Sequence, residues 1–220
     1  MLNAVPPNLN HLILNTHDEE NFDAVVNDIN NSAHEDSLLT TNDEDDITIF
    51  EKLRQKYMSN PIIAYYNINS LRNKIIDIRY IMLRCLPDVF VMAETKLNYQ
   101  FPNSQFLVEN YYEPIRVDDT SESGGLIEYT RKGIINKRKT EFELKSFSSI
   151  CSELTINKIK WLVLSFYRKP YGKNIDLFFS ELTMSMNIAI CKYDNIVIIG
   201  DINIDSDSEL TSDFEKLSSF

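Results

Sequence analysis

Between residues 62 and 92 an apolar run, a helix-spaced segment and a second apolar run follow one another, and this succession limits the possible folds more than any other feature. Residues 62–66 are β-branched and aromatic, as a strand requires. Leu71, Ile75, Ile78, Met82 and Cys85 then recur at three- and four-residue steps. That spacing predicts a helix capped by Asn69 or Ser70 and ended by Pro87. Residues 88–92 are a second strand. Two strands joined by a helix of this length are expected to lie parallel and buried, as a βαβ unit.

Further strands are expected at 111–117 and 126–130, separated by the turn-rich residues 118–125. A hairpin is expected over 147–156 and 158–167, turning at Asn157-Lys158. Residues 175–190 have helical spacing through Ile175, Phe178, Phe179, Leu182 and Met186. A last strand stops at Gly200. The fold class is therefore mixed α/β (α+β), with many strands and no repeat.

Charge divides the chain in two. Residues 1–50 hold 11 Asp or Glu and no Lys or Arg, leaving 22 acids against 22 bases in the remainder. The formal charge of −11 thus belongs to the first segment, and a nucleic-acid partner is not excluded by it. Residues 1–59 are expected to be an acidic, mostly disordered leader, with a short helix over 47–58 entering a domain at 60–220. The N-terminus has no signal-peptide pattern, and no apolar run reaches the ~18 residues of a membrane span. Cys85, Cys151 and Cys191 lack metal-binding spacing, so reduced, buried thiols in an intracellular compartment are expected.

Three strands end in oxygen-bearing side chains: Asn67 and Asn69, then Glu94, then Asp201 and Asn203. Ligands of α/β sheets gather outside the carboxyl ends of strands. A carboxylate with amides there suits a hard cation such as Mg2+ rather than zinc or copper.

The segments YYNINSLRNKI, PDVFVMAETKL, SGGLIEYTRKGI, LSFYRKP and IIGDINID occur in an order that resembles the endonuclease/exonuclease/phosphatase superfamily. The resemblance is closest to the endonuclease domains of non-LTR, jockey-like retrotransposons and covers about residues 60–210. It implies a four-layer sandwich, two mixed β-sheets flanked by helices. It implies Glu94 as the main ligand of Mg2+ (or Mn2+), with Asn69 beside it and Asn67 near metal and water. Tyr167 would contact the scissile phosphate, Asp201 would orient or deprotonate the water, and Asn203 would help position the phosphate. Arg168, Lys169 and Lys96 would approach a DNA backbone, and a DNA substrate makes a nuclear location an expectation. The basic cluster Arg131, Lys132, Lys137, Arg138 and Lys139 reads as well as a solvated surface.

Members of the superfamily continue after the Asp-x-Asn motif with further strands, a late Asp and a Ser-Asp-His-like motif. Here no histidine follows His34, and 15 residues follow Asp205. The expectation is an incomplete second sheet and a weak or inactive endonuclease fragment, with a reverse transcriptase domain in an intact polyprotein. A non-catalytic remnant that binds nucleic acid or protein is the alternative from another class. A phosphatase acting on a non-nucleic-acid phosphoester is the alternative within the superfamily.

Overall fold

The structure, a computed structural model, describes residues 13–16, 46–58, 60–119, 124–170 and 175–203. The βαβ unit is present. Strand β2 (Ile63–Asn67) pairs in parallel with β3 (Val89–Ala93), Ile63 opposite Val89, and helix α2 (Ile75–Cys85) connects them. All five residues of β3 are buried, as a strand covered on both faces must be.

The helix begins later than its spacing predicts. Residues 68–74 form a loop, Asn69 and Ser70 have φ of +44° and +85°, and α2 carries no side-chain cap. The reason is competition for backbone partners. Ile68, Ser70 and Leu71 donate their N–H groups to the carbonyls of Ala93, Glu94 and Thr95, so this stretch is tied to the end of β3. Leu86, in the left-handed conformation, ends the helix just ahead of Pro87.

The first sheet has the order β1-β2-β3-β5-β4. β1 (Ile13–Thr16) lies within the acidic segment and extends the sheet in parallel, Ile13 opposite Ile63. Helix α1 (Asp46–Lys56) matches the helix expected over 47–58; residues 1–12, 17–45 and 59 of that segment lie outside the described residues. β5 (Leu126–Thr130) runs antiparallel to β3, and β4 (Ile115–Val117) antiparallel to β5. The strand expected over 111–117 is thus shortened: Tyr111 makes a single bridge to Arg131 and turns its ring into the core.

The second sheet has the order β6-β7-β8-β9. β7 (Ser148–Ile156) and β8 (Ile159–Tyr167) form the expected hairpin, and Asn157 and Lys158 both take positive φ, as a type I′ turn demands. β9 (Ile196–Asp201) lies parallel to β8 and is reached through α3 (Ile175–Ala189), a second βαβ crossover. β6 (Ile135–Arg138) has no apolar alternation, so the sequence shows no strand there. Among the described residues it pairs with β7 alone, and an edge position tolerates its polar side chains.

Side-chain alternation sorts the apolar residues into three cores. Ile63, Tyr65, Val89, Val91, Val163, Val197 and Ile199 fill the space between the sheets. Met82, Phe90, Met92 and Tyr129 pack under α2, and Leu164, Phe166, Phe178 and Leu182 under α3. Helix, sheet, sheet and helix give the four layers. Cys85 and Cys151 are buried and Cys191 exposed, all three as free thiols. Among the described residues no helix is long and apolar enough to cross a membrane.

Two of the buried acids lie away from the carboxyl ends of the strands. Asp88, 1% exposed, accepts from Arg54 Nη2 at 2.8 Å, from the Ile62 N–H at 2.8 Å and from the Arg131 guanidinium. The cluster residue Arg131 is therefore structural. Arg138 and Lys139 pair with Glu143 and Glu153.

The second acid, Glu128, faces between the sheets, and burial pushes its carboxyl from 4.5 up to about 7, against hydrogen bonds from Ser152 and Asn136. A carboxyl that binds its proton more tightly when folded adds stability that is complete below pH 4.5. That stability is lost as pH rises through about 7. Two and a half pH units correspond to about 3 kcal/mol. Glu128→Gln should therefore gain stability relative to the native chain between pH 4.5 and 8, measured as urea midpoints. A difference that does not change with pH would show Glu128 to be ionised throughout.

Candidate active site

The alternation that builds the central core also builds the site. Tyr65 and Asn67 share the inward face of β2, Val163 and Tyr167 that of β8, and Ile199 and Asp201 that of β9. The apolar residues fill the core, and the last inward position of each strand is polar. Asn67, Tyr167 and Asp201 are thus delivered to one end of the sandwich, with Glu94 one residue past β3.

Their side chains meet. Asn67 Nδ2 donates to Glu94 Oε1 at 2.9 Å and to Asp201 Oδ2 at 3.4 Å, joining the two carboxylates across the two sheets. Tyr167 Oη donates to the same Glu94 oxygen at 2.9 Å. Burial, and then the hydrogen bond and charge of Glu94, hold the Tyr167 phenol well above its usual pKa, so it stays a donor. Asp201 is 2% exposed and Tyr167 3%, whereas Asn67 and Glu94 are half-buried, so the cluster is open on the Glu94 side.

The surrounding loops are held in uncommon conformations. Asn69, Ser70, Glu94, Lys96 and Asn203 all have positive φ. For residues such as Glu94 and Lys96 this costs of order 1 kcal/mol each, and strain of this kind gathers at functional sites. The supports are visible. Lys96 N–H donates to the Gly124 carbonyl at 3.0 Å, and Ser70 N–H to the Glu94 carbonyl at 2.8 Å. A Cβ on Gly125 would lie 2.5 Å from Thr95 Oγ1. Gly124-Gly125, read from the sequence as a plain turn, therefore shapes the loop that carries Glu94.

The remaining expected residues fall around this cluster. Asn203 N–H donates to Asp201 Oδ1 at 2.8 Å, and its side-chain amide donates to the Arg168 carbonyl at 2.6 Å. Arg168 is 8% exposed, and its guanidinium donates to the Ile202 carbonyl at 2.8 Å and the Asn203 carbonyl at 3.3 Å. It braces the end of β9. Lys169 pairs with Asp119 at 2.7 Å. Asn69 is exposed, and its Oδ1 accepts from Lys96 Nζ at 2.5 Å, so a metal ion there would have to displace the ammonium.

Sequence reasoning missed Tyr65 and Asp119. Tyr65 looks like an ordinary strand aromatic, yet burial and the nearby Asp201, Tyr167 and Glu94 raise its phenol pKa well above the usual value. Asp119 lies in a turn-rich stretch where acids are common, and nothing in the sequence ties it to Lys169.

Gly200 sets the spacing of the two site strands. Phe166 lies opposite Gly200 and Tyr167 opposite Asp201. A Cβ on Gly200 would lie 2.4 Å from the Phe166 carbonyl oxygen, a backbone atom. Gly200→Ala should force β9 from β8 and lower stability by about 1–3 kcal/mol, read from the thermal midpoint. An unchanged midpoint would show the strands free to separate.

The donor set suits a Mg2+ ion held by few protein ligands. Glu94 Oε1 accepts two hydrogen bonds, and Oε2 accepts none among the described residues. Those residues contain no group of three or more His, Cys, Asp or Glu that could cage a metal. Mg2+ is commonly bound by one or two carboxylates, water and substrate phosphate.

No family model and no curated protein matches the sequence. Solved structures do match. An AP endonuclease from Leishmania major is 16% identical, with a TM-score of 0.51, over 67% of this chain and 56% of that one. A mannosyl-6-phosphatase from Bacteroides thetaiotaomicron is 15% identical, with a TM-score of 0.51, over 73% of this chain and 70% of that one. The catalytic domain of human Nocturnin is 12% identical, with a TM-score of 0.50, over 72% and 69%. The chain spans less than two thirds of the length of the Leishmania enzyme. These proteins have the fold of the endonuclease/exonuclease/phosphatase superfamily, and this chain has that fold.

Proposed function

We propose that the cluster is a Mg2+-dependent phosphodiester-hydrolysing site, and that the chain derives from the DNA endonuclease of a non-LTR retrotransposon. One observation carries this reading: Asn67, Glu94, Tyr167 and Asp201, from four strands of two sheets, form one hydrogen-bonded group at the strands' carboxyl ends. The fold alone does not choose the substrate, since its solved examples include an AP endonuclease and a sugar phosphatase. The five ordered motifs favour DNA.

In this reading Glu94 holds the metal, which neutralises charge on the phosphate when bound. Asp201 takes a proton from the attacking water, with Asn67 and Asn203 keeping its carboxylate in place. With substrate bound, Tyr167 turns its one phenol proton from Glu94 Oε1 to a phosphate oxygen. Lys96 and Lys169, at the rim, meet the DNA backbone. No histidine is present among the described residues to supply a transition-state donor, and slow turnover is part of the proposal. Losing such a group costs on the order of 10²–10⁴ in rate.

The test is nicking of supercoiled plasmid by the full chain with Mg2+ and with EDTA, over hours. Slow nicking that EDTA abolishes is the expected result. A folded chain that never nicks but retards the plasmid in a gel would move the non-catalytic remnant ahead.

A further inference from the structure

A second polar site lies away from the strand ends. The inward face of β5 reads Leu126, Glu128, Thr130, so a carboxyl stands where its neighbours on the sheet are apolar. Glu128 is 1% exposed. Its Oε1 accepts from Ser152 Oγ at 2.5 Å and from Asn136 Nδ2 at 3.2 Å. Asn136 Nδ2 also donates to Thr130 Oγ1 at 2.5 Å.

Two acceptors of this group have no partner among the described residues: Glu128 Oε2 and Asn136 Oδ1 are both buried without a hydrogen bond. Leaving such atoms unpaired is costly, more so on a carboxylate. Glu128, Asn136 and Thr130 also line a cleft of about 430 Å3 between the β4 and β6 edges, with Ile115 on one wall and Tyr112 and Glu113 at its rim. That volume is in the range of small-molecule sites.

The charges around it are already committed. Arg138, on β6, gives both its guanidinium bonds to Glu143, at 2.7 and 3.0 Å. Glu113 and Glu143 add negative charge, and β7 presents only the neutral Ser152. Glu128 therefore stands in a cleft with spare acceptors, and Arg138, the cation whose charge reaches it, is hydrogen-bonded to Glu143 instead.

We propose that this cleft binds a small cation bearing several N–H donors, a guanidinium or ammonium on a short apolar stem, whose head pairs with Glu128 and Asn136. The planar fork of a guanidinium can serve two acceptors at once. The site is separate from the strand-end cluster and independent of what that cluster does.

The experiment is titration of the full ¹⁵N-labelled chain with butylguanidinium at pH 8, followed by amide NMR. Neutral butylurea serves as the control of equal shape. Saturable shifts at Glu128, Thr130 and Asn136 with the cation, and at least tenfold weaker binding of butylurea, are expected. Binding should also weaken more than tenfold at pH 5.5, where a carboxyl titrating at about 7 is protonated. Glu128→Gln should bind the two probes alike, and its spectrum shows whether it is folded. The pH arm, on the native chain, does not depend on that variant.

A blocked Gly-Arg-Gly peptide separates the sources of the cation. Tighter binding than butylguanidinium assigns the cleft to an arginine of a partner, and weaker binding to a free small molecule. No shifts at these amides, or equal binding of butylurea, would overturn the proposal and leave Glu128 a neutral acid bonded within the core.

Discussion

Glu94→Ala is expected to abolish Mg2+-dependent nicking, with a loss on the order of 10²–10³ in rate. The size follows from what Glu94 does in the cluster. It receives both Asn67 and Tyr167 on one oxygen and leaves the other open. Removing it takes away the proposed metal ligand and also the acceptor that fixes two other site residues. Glu94→Gln keeps the shape and a carbonyl oxygen but not the charge, so it should lose nearly as much rate with little change in stability. Binding of Mn2+ by the folded chain, followed by its paramagnetic signal, gives a readout that does not need turnover. It should weaken at least tenfold in both variants. Unchanged Mn2+ binding in Glu94→Ala would remove Glu94 from the metal site, whatever the nicking assay shows.

The second large effect is on stability. Asp88→Ala should cost about 3–5 kcal/mol, because it removes the shared partner of two arginines at a buried position. Arg54, with 15% of its side chain exposed, would keep its charge without a carboxylate, and the Ile62 N–H would lose its acceptor. Arg54 also donates to the Leu86 carbonyl at 2.6 Å, so Asp88 ties α1 to the turn between α2 and β3. Urea unfolding measures the loss. A change under about 1 kcal/mol would mean that water replaces the carboxylate freely, contrary to its burial. Asp88→Asn, which keeps an acceptor and loses the charge, should fall between the two.

Much of the architecture is legible in the sequence because it is set by local periodicity. The first βαβ crossover, the helix and last strand of the second, and the β7–β8 hairpin follow from apolar spacing and turn residues, which tertiary contacts only reinforce. The polar β6 was not legible. Nor was the shortening of β4, where Tyr111 gives up pairing to fill the core with its ring. The helix start was misplaced for the same kind of reason. Asn69 and Ser70 are good caps, but the neighbouring strand end offered their loop better backbone partners.

The sequence by itself determined which residues could form a site, since Asn67, Glu94, Tyr167 and Asp201 stand at the ends of recognisable strands. Whether they meet was decided only by the tertiary structure, because the hydrogen bond from Asn67 to Asp201 spans 134 residues and joins two sheets. The same holds for Arg168, whose guanidinium turns inward to the carbonyls just past β9, and for Glu128, an acid in a strand that reads as apolar. The physical reason is one of range. Alternation and helical spacing are fixed by neighbours in the chain, whereas burial and charge pairing depend on which distant surfaces the packing brings together.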